Sequence, residues 1–517
     1  MALRHAAPLS LPCRSAMRMV PATLVLALAA CAAPPPSRPA PAAQVVAPAR
    51  LDAAAAQGAA QGEGAAALDQ WWTAWGDPAL DRLVDAALAA NTDLRVARAH
   101  VEAARALASV AEAALYPTIA AQGAGWGNAG DTGIDGTAGS VLSPFTRGAT
   151  GGGYLVGLGA QWEPDIFGGR HADVAAAQAM AGGVDWMAQG VRLMVVADVV
   201  ENYQQWRGLE ARLALLDQSL EATRALTAYV AARQGTGQAS KPDLTRAQAA
   251  AASLEATRPQ LLALIDARRR RLAILSGALP EAMVDVVPRR GGSSDLAVPP
   301  PPSGQWPSTI LERRPDVRAS MAMVAARAAK LKSYKADLYP RFSIGFSGQN
   351  GELGLSGLPG FGGTMGLLNV KASVPIFTGG LLRGRIAAGQ AELEGALAAQ
   401  DRTVLSSLEE VETAYGLRAG FDARVAGLVS ARTLSARRAD EAQAFYRAGR
   451  VTLGDVLQAR LDTLSDADKL EQARIAQRSA TVQLYRALGG GWSPPAPGPS
   501  VSSAHPALPV LQGSSPR

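Results

Sequence analysis

The stretch LNVKASVPIFTGG, residues 368–380, indicates how this chain folds. One set of alternate positions is apolar and consists of Leu368, Val370, Ala372, Val374 and Ile376. The positions between them are polar: Asn369, Lys371 and Ser373. Successive side chains of a strand point to opposite faces, so the stretch predicts a strand with one apolar and one polar face. Such a strand, about ten residues long, fits the wall of a membrane barrel. An ordinary half-buried sheet is the alternative.

The same stretch has a counterpart earlier in the chain. PDIFGG at 164–169 resembles PIFTGG at 375–380, and the tripeptide LYP occurs at both 115–117 and 338–340. A third motif recurs at equal spacing, with Gly237, Ser240 and Asp243 matched by Gly449, Thr452 and Asp455. These matches predict two structural repeats, at 68–279 and 308–491. A Pro- and Gly-rich linker at 280–307 separates them, and a disordered tail at 492–517 follows.

Each repeat is predicted to contain a helix, two strands, a very long helix and a return helix. The predicted helices are 79–115, 169–234, 241–276, 308–338, 381–447 and 453–488. The predicted strands are 118–126, 154–162, 341–347 and 368–376, with loops at the Gly-rich segments 148–153 and 351–366. Apolar residues on the longest helices step by four, three and four, as in a coiled coil: Leu209, Leu213, Leu216 and Leu220, then Val404, Leu408, Val411 and Tyr415. A plain helical bundle explains the helices equally well, but it does not explain the strands.

The strands determine how many chains are needed. Open sheet edges are not tolerated in hydrocarbon, and four strands are too few to close a barrel. Three chains would supply twelve strands. The predicted fold class is therefore an α+β membrane protein, with four transmembrane β-strands per chain forming a trimeric twelve-stranded β-barrel. A long α-helical coiled-coil tunnel continues the barrel.

The N-terminal region resembles that of an exported lipoprotein. Arg14 and Arg18 precede a short apolar run that ends in Leu-Ala-Ala-Cys31. This pattern predicts a signal peptide at 1–30, with translation starting at Met1, Met17 or Met19. Cys31 is predicted to carry a covalent lipid and to begin a flexible linker at 31–67. Ordinary signal cleavage, with an incidental cysteine, is the alternative.

Composition excludes several other functions. The chain has 517 residues and a net charge of +6, which does not indicate nucleic-acid binding. Its two cysteines, Cys13 and Cys31, lie near the start, and only four histidines occur, so no metal site or further cofactor is predicted. Hydrolase and nucleotide-binding motifs are missing from the sequence, which indicates that the chain is not an enzyme.

Two further segments resemble a known family. The first is WWTAWGDPAL at 71–80 with NTDL at 91–94, and the second is WPS at 306–308 with LERRPDV at 311–317. Both are similar to segments of TolC-like outer-membrane efflux lipoproteins. The resemblance implies a homotrimer in the cell outer membrane, with its helices in the periplasm. It would export small molecules for a periplasmic adaptor and an inner-membrane RND-type pump. A type I protein secretion duct and a periplasmic coiled-coil adaptor or scaffold are the alternatives.

The recurring turn motif is the candidate functional site. Ser240 and Thr452 begin capping boxes, so Asp243 and Asp455 are expected to cap the return helices. The family resemblance adds a periplasmic gate at Asp243 and Asp455, with an acidic ring formed by three copies of Asp455. Repulsion within such a ring is expected to raise at least one apparent pKa. The resemblance also implies tip and adaptor contacts at Gly237, Ser240, Gly449, Arg450 and Thr452. Gln458 departs from the family pattern, because some members have a second acid there.

Overall fold

The computed structural model describes residues 66–128, 151–282, 298–302, 311–355 and 360–492. All of these residues lie in one compact unit. The long helices are α1 (Pro78–Ala90), α2 (Thr92–Ala113), α3 (Gly169–Gly235), α4 (Lys241–Leu275), α5 (Pro315–Ala336), α6 (Leu381–Arg447) and α7 (Leu453–Ala487). The strands are β1 (Thr118–Asn128), β2 (Gly151–Trp162), β3 (Arg341–Leu355) and β4 (Phe361–Ser373). Short helical segments occur at Ala66–Asp69, Trp71–Trp75 and Pro280–Ala282.

The two repeats have helices of equal length. Helices α2 and α5 each contain 22 residues. Helices α3 and α6 each contain 67 residues, and α4 and α7 each contain 35. Every long helix after α1 therefore has a counterpart in the other half of the chain.

The four strands form one antiparallel sheet in the order β1-β2-β3-β4. Ile344 lies opposite both Trp162 and Val370, while Ser343 lies opposite Lys371. Directly paired residues share a face of the sheet, so the apolar residues are on one face and Lys371 is on the other. The apolar side chains on this face are largely exposed in the single chain, including Ile119, Val156, Leu158, Leu368 and Val370.

Four predicted strand boundaries, in β2, β3 and β4, are wrong. Strand β3 continues to Leu355 and β4 begins at Phe361, so much of the predicted loop at 351–366 is strand. Residues 151–153 likewise belong to β2. Strand β4 ends at Ser373, not at residue 376. Pro375 has no backbone N–H to donate to a ladder, which accounts for the early end.

Two predicted helices are each interrupted by one extended residue. The predicted helix at 79–115 is divided into α1 and α2 at Asn91, whose backbone is extended. The Asn91 side chain accepts hydrogen bonds from the backbone N–H groups of Asp93 at 2.8 Å and Leu94 at 3.2 Å, and it caps α2. The predicted helix at 308–338 is interrupted at Arg314, whose backbone is extended. Residues 311–313 are helical, and α5 begins at Pro315, because proline fits the first turn of a helix. Residues 303–310, which include the predicted start at 308, lie outside the described residues.

The long helices pack along the predicted coiled-coil seams. Leu209, Leu216 and Leu220 of α3 are buried, as are Val404 and Val411 of α6. Helix α3 contacts α4 within its own repeat and also α5 and α7 of the second repeat. The two repeats therefore share one set of packed helices.

An aromatic cluster surrounds the start of the first repeat and the end of the second. Trp71, Trp72 and Trp75 are all buried, and Trp71 stacks on Tyr485 with ring centroids 4.8 Å apart. The Gly491 N–H donates a hydrogen bond to the Leu68 carbonyl at 2.7 Å. These contacts bind the first described segment of the chain to the last.

The Arg-Arg pair of the segment 311–317 clamps this cluster. Arg313 donates to the Asp69 carboxylate at 2.6 Å and to the Trp492 carbonyl at 3.0 Å. Arg314 donates to the Ala487 carbonyl at 3.0 Å and forms ion pairs with two carboxylates, Asp316 at 2.7 Å and Glu410 at 2.8 Å. Burial alone would lower the pKa of Arg314, but the hydrogen bonds with its two carboxylate partners raise it. This signature segment thus has a structural role.

A short part of the inter-repeat linker is held against the second repeat. Arg418 of α6 donates to the Pro299 carbonyl at 3.1 Å, and the Tyr415 hydroxyl donates to the Pro302 carbonyl at 2.7 Å. The rest of the predicted linker at 283–297 and 303–307 lies outside the described residues, as does the tail at 493–517.

The two faces of the sheet predict different tolerance to substitution. Val370→Arg places a charge on the apolar face and is expected to cost about 2 to 4 kcal/mol if the residue lies near the middle of the membrane. Lys371→Leu changes the opposite face and is expected to fold normally. Heat-modifiable migration of the membrane-extracted protein on gels measures folding. Equal folding of both variants would contradict the assignment of the faces.

Candidate functional site at the helical turns

Two turns with the same geometry join the long helices to the return helices. Gly237 follows α3 with φ +75°, and Gly449 follows α6 with φ +70°. The Gly237 N–H donates to the Gln234 carbonyl at 3.0 Å, and the Gln238 N–H donates to the Arg233 carbonyl at 2.8 Å. The second turn repeats this Schellman pattern, with Gly449 donating to Tyr446 and Arg450 to Phe445, each at 2.9 Å. Glycine adopts the left-handed conformation without strain, so both helices end at defined positions.

Both expected capping boxes are formed. The Asp243 N–H donates to Ser240 Oγ at 3.3 Å, and the Ser240 N–H donates back to Asp243 Oδ2 at 3.2 Å. In the second turn, the Asp455 N–H donates to Thr452 Oγ1 at 3.3 Å, and the Thr452 N–H donates to Asp455 Oδ2 at 2.8 Å. The aspartates therefore cap α4 and α7.

The same hydrogen bonds set the charge of the turns. Hydrogen bonds from Ser240 lower the pKa of Asp243, and those from Thr452 lower the pKa of Asp455. The positive charge of Arg233 lowers the pKa of Asp455 further. Both carboxylates are thus ionised at neutral pH. The predicted increase in pKa depends on carboxylates of other chains, and within one chain the direction is the opposite.

A tyrosine and an arginine connect the two turns, and the sequence patterns did not single out either one. Arg233 of α3 donates to the Tyr229 hydroxyl at 3.0 Å, and its guanidinium lies 5.8 Å from the centroid of the Tyr229 ring. Hydrogen bonds from Arg233 and then from Thr452 lower the pKa of Tyr229. A Cβ on Gly454 would lie 2.9 Å from Tyr229 Cε1, so the ring packs directly on the first turn of α7. The first repeat therefore supports the turn of the second.

Tyr229 and Arg233 stand out when the two repeats are aligned, because the second repeat has different residues at the matching positions. Helices α3 and α6 have equal lengths, so Tyr229 corresponds to Glu441 and Arg233 to Phe445. The contact thus depends on side chains that only the first repeat carries. The two turns share a backbone conformation but differ in the side chains beside them.

The residues beyond Asp455 make local contacts. Gln458 donates to Asp462 at 3.0 Å, and Arg438 of α6 forms an ion pair with the same carboxylate at 2.6 Å. Gln458 therefore binds a nearby acid in its own helix. Arg447 ends α6, and both Arg447 and Arg450 are exposed beside the second turn.

A groove runs along α3 between α4 and α7. Its volume is about 1030 Å³, and Asp243 and Arg246 contribute to its lining near the turns. The lining from α3 is largely apolar and includes Leu215, Leu216, Leu226 and Val230. Charged residues of the return helices, including Asp462, Asp468 and Lys469, also line it.

The predicted anchor and a metal site are the remaining candidates. Cys31, the signal peptide at 1–30 and the linker at 31–65 lie outside the described residues. Where the structure does describe the chain, it contains no group of three or more His, Cys, Asp or Glu residues placed to hold a metal ion. None of the described helices combines the length and the apolarity needed to cross a membrane.

Known proteins match both repeats. The family model described as "Outer membrane efflux protein" matches residues 83–278 and 306–490. The pyoverdine export outer membrane protein OpmQ of Pseudomonas putida is 29% identical over 434 residues, which cover 83% of this chain and 89% of the relative. The solvent efflux pump outer membrane protein SrpC of Pseudomonas putida is 28% identical over 418 residues, covering 81% and 86%. These matches confirm the prediction of an outer-membrane efflux channel that is not an enzyme, and the alternative of a periplasmic adaptor or scaffold is wrong.

A solved structure has the same fold. The outer-membrane channel OprN is 29% identical and superposes with a TM-score of 0.73, covering 86% of this chain and 97% of the solved chain. The likeness confirms the predicted fold class, a trimeric β-barrel continued by a helical tunnel. With both repeats matched by one family model, the chain belongs to the outer membrane efflux protein family.

Proposed function

We propose that this outer-membrane efflux channel is the exit duct of a tripartite pump, which it forms as a homotrimer with a periplasmic adaptor and an inner-membrane RND-type pump. The observation that carries the proposal is the joining of a sheet with one apolar face to two helices of 67 residues each. At 1.5 Å per residue, each helix extends about 100 Å. A helix of this length suits a periplasmic duct, and the sheet suits the outer membrane.

The proposed substrates are small molecules. The relatives named above are described by pyoverdine export and by solvent efflux. Both descriptions favour small-molecule export over the alternative of a type I protein secretion duct. In this proposal the pump selects the substrates, and this chain provides their exit route.

The proposed periplasmic gate lies at the helical turns. Asp455 is ionised and exposed, and its carboxylate is oriented by Thr452. Three copies placed around one axis would form an anionic constriction that favours cations. Asp243 occupies the matching turn of the first repeat. Tyr229 and Arg233 hold the second turn against α3, so they would resist its outward movement.

The same end of the molecule is the proposed adaptor contact. Gly237 and Ser240 form the first turn, and Gly449, Arg450 and Thr452 form the second. The groove between α4 and α7 begins beside the first turn and has an apolar floor. A helical partner with one apolar face would bury that floor while its polar face met the charged residues of the return helices.

The proposed lipid anchor is Cys31. Leu68 lies 37 residues after Cys31 in the chain, and an extended chain of that length spans about 120 Å. Leu68 lies close to Leu193 through their shared neighbour Gly491. Leu193 is 24 residues along α3 from Gly169, or about 36 Å from the end of the helix that adjoins the sheet. The linker is therefore long enough for a lipid on Cys31 to enter the same membrane as the sheet.

Transport in cells tests the proposed function. Deletion of the gene is expected to raise the accumulation of a small apolar dye severalfold, because its exit route is lost, and the intact gene should restore efflux. Dye fluorescence in energised cells measures accumulation. Unchanged accumulation together with loss of a secreted protein would instead support the protein secretion alternative.

A charge-removing substitution tests the gate. Asp455→Asn keeps an oxygen that can accept the capping hydrogen bond but removes the negative charge. Single-channel recordings are expected to show reduced cation selectivity, with little change in thermal stability. Asp243→Asn is the matched control for loss of the cap, because its capping box is the same and the proposed acidic ring consists of Asp455 alone. Unchanged conductance and selectivity with lower thermal stability would show that Asp455 is only a cap.

The pH dependence of selectivity, measured in the channel that retains Asp455, provides a second test of the acidic ring. Thr452 lowers the pKa of Asp455 below the ordinary value of 3.8 within one chain, whereas repulsion in a ring raises the apparent pKa. Cation selectivity is expected to be full at neutral pH and to be lost as the pH falls. A midpoint above 3.8 indicates converging carboxylates, and a midpoint below it indicates isolated ones.

Mass spectrometry of the mature protein tests the anchor. The mature chain is expected to begin at Cys31 with lipid attached, and Cys31→Ala should release or mislocalise the protein. Membrane fractionation measures the change, and Cys13→Ala is the control because residue 13 lies in the predicted leader. A mature N-terminus at another residue would contradict the lipid anchor.

A further inference from the structure

A second groove lies between α2, α3 and α5, in the part of α3 that follows the sheet. Its volume is about 790 Å³, which is within the range of roughly 300 to 1,000 Å³ found for small-molecule sites. The α3 wall includes Met180, Val184, Met187 and Val191. These residues step by four, three and four, so they lie on one face of the helix. The wall of the groove is therefore a continuous apolar stripe.

The apolar side chains of the groove are largely exposed in the single chain. Met180 is 47% exposed and Met187 is 54% exposed, and Leu107 on the facing side of α2 is 67% exposed. Apolar side chains stabilise a fold in proportion to the area that they bury, so packing within the chain does not account for this stripe. Methionine is flexible and polarizable, and it suits surfaces that bind molecules of different shapes.

The apolar stripe is particular to the first repeat. Because α3 and α6 have equal lengths, Met180 corresponds to Glu392 and Met187 corresponds to Ala399. The same helix face thus carries a charged residue and a small residue in the second repeat. The fold accepts polar or small side chains at these positions, so the methionines of α3 serve another purpose.

The charges at the edge of the groove are paired. Its lining includes four Asp, Glu, Lys and Arg residues. Lys330 forms an ion pair with Asp173 at 2.7 Å, and Arg327 forms one with Glu392 at 2.9 Å. A charged molecule entering the groove would lose water without meeting an unpaired opposite charge on these four residues. The groove is therefore suited to an uncharged molecule.

The opposite side of α3 contacts the end of the second repeat. The Trp186 ring packs edge-on against the Trp492 ring, with centroids 5.3 Å apart. A Cβ on Gly491 would lie 3.9 Å from Leu193 Cδ1. Nine residues make two and a half helical turns, so Leu193 lies on the opposite side of α3 from Val184. The groove and this last described segment are thus separated by the width of the helix.

This arrangement determines which side of the tunnel the groove faces. An open duct can have an additional layer of packed residues on its outside, because the same layer on its inside would block the passage. The segment with Trp492 and the aromatic cluster around Trp71 form such a layer over the helices. The opposite face of α3, which contains the groove, is therefore directed into the tunnel.

We propose that the groove is a binding site inside the tunnel for small, uncharged apolar molecules, and that each trimer contains three such sites. The proposal rests on the proposed function, since the occupants are molecules on their way out through the duct. Binding has to be weak enough for the molecule to leave, as in other conducting pores. The site therefore holds apolar molecules briefly along an otherwise water-filled route.

Photolabelling of the trimer in lipid nanodiscs tests the binding site. The probe is 3-phenyl-3-trifluoromethyldiazirine, and mass spectrometry quantifies label on the peptides that contain Leu107 and Met323, which also line the groove. Labelling is expected to saturate with probe concentration. Met180→Glu with Met187→Ala, which introduces the residues of the second repeat, is expected to reduce it about tenfold, because two apolar side chains of the wall are lost.

A matched variant and three competitors define the specificity. Met194→Ser is the control, because Met194 is 43% exposed and lies on α3 beyond the residues that line the groove. Benzyl alcohol in excess is expected to compete with the probe, whereas benzoate and benzyltrimethylammonium are expected to compete much less. Labelling that does not saturate, or that is equal in the double variant and the control, would overturn the site. Equal competition by all three compounds would contradict the preference for uncharged molecules.

Single-channel recordings test the position of the groove. A positively charged methanethiosulfonate reagent is expected to lower the conductance of Met187→Cys in steps, because it adds charge inside the tunnel. Ala175→Cys is the control, since Ala175 is exposed and lies nine residues before Val184, on the opposite side of α3. Mass analysis verifies that both variants react. A change in the control with no change in Met187→Cys would place the groove outside the tunnel and overturn the proposal.

The results also separate the binding site from the proposed function. Saturable labelling in a channel whose deletion leaves dye accumulation unchanged would retain the site and reject the exit duct. Normal efflux without saturable labelling would retain the duct and reject the site. Native mass analysis verifies that the double variant remains a trimer. If it does not, Met187→Ala alone is compared, because alanine is already accepted at the matching position 399, and unchanged labelling in that variant would overturn the site.

Discussion

Every backbone N–H and C=O in the hydrocarbon of a membrane needs a hydrogen-bond partner, and the structure of this chain follows from that requirement. Strands β1 and β4 are the edges of the sheet, and each pairs with a described strand on one side only. A single chain would leave both edges unpaired, at several kcal/mol for each buried group. Association of chains satisfies those groups, and it also determines which helix faces remain apolar at the surface of one chain.

The order of the strands in the sheet determines which helices are neighbours. Helices α2 and α5 lead into β1 and β3, while α3 and α6 follow β2 and β4. Neighbouring strands therefore impose neighbouring helices, and α3 packs beside α5 as β2 pairs with β3. The aromatic cluster around Trp71 and the clamp formed by Arg313 and Arg314 then bind the outer segments to these helices. The strand pairing that satisfies the backbone in the membrane therefore also determines which helices pack together.

The fold was predictable from the sequence because its strongest signals are local. Alternation around Val370 indicated a two-faced strand, and the spacing of Thr452 and Asp455 indicated a helix start. The errors occurred where a local pattern was ambiguous. Asn91 lies within a continuous apolar period, yet its side chain caps α2 and its amide donates to the Leu275 carbonyl at 2.9 Å, a contact 184 residues away. Glycine-rich strand ends lack side chains to alternate, so they resembled loops.

The candidate site was only partly predictable for a related reason. Capping boxes depend on residues three apart, and both were found. The support from Tyr229 and Arg233 depends on the packing of α3 against α7, which no local spacing encodes. The roles of Arg313 and Arg314 were likewise hidden, because their partners Asp69, Glu410 and Trp492 are distant in sequence. A motif can identify a family while giving no indication of what its side chains bind.

The presence of both repeats on one chain changes the thermodynamics of assembly. Separate half-chains would have to associate six at a time, and each added body loses translational and rotational freedom at an estimated cost of about 4 to 15 kcal/mol. Because a covalent linker joins two repeats, every second contact between neighbouring repeats forms within one chain. Each repeat then has a high effective concentration for its linked partner. The linker also allows the two halves to differ in sequence, since the second repeat has Glu441 and Phe445 at the positions that Tyr229 and Arg233 occupy in the first. A ring of three such chains therefore alternates two chemically different turns, a pattern that six identical units cannot produce.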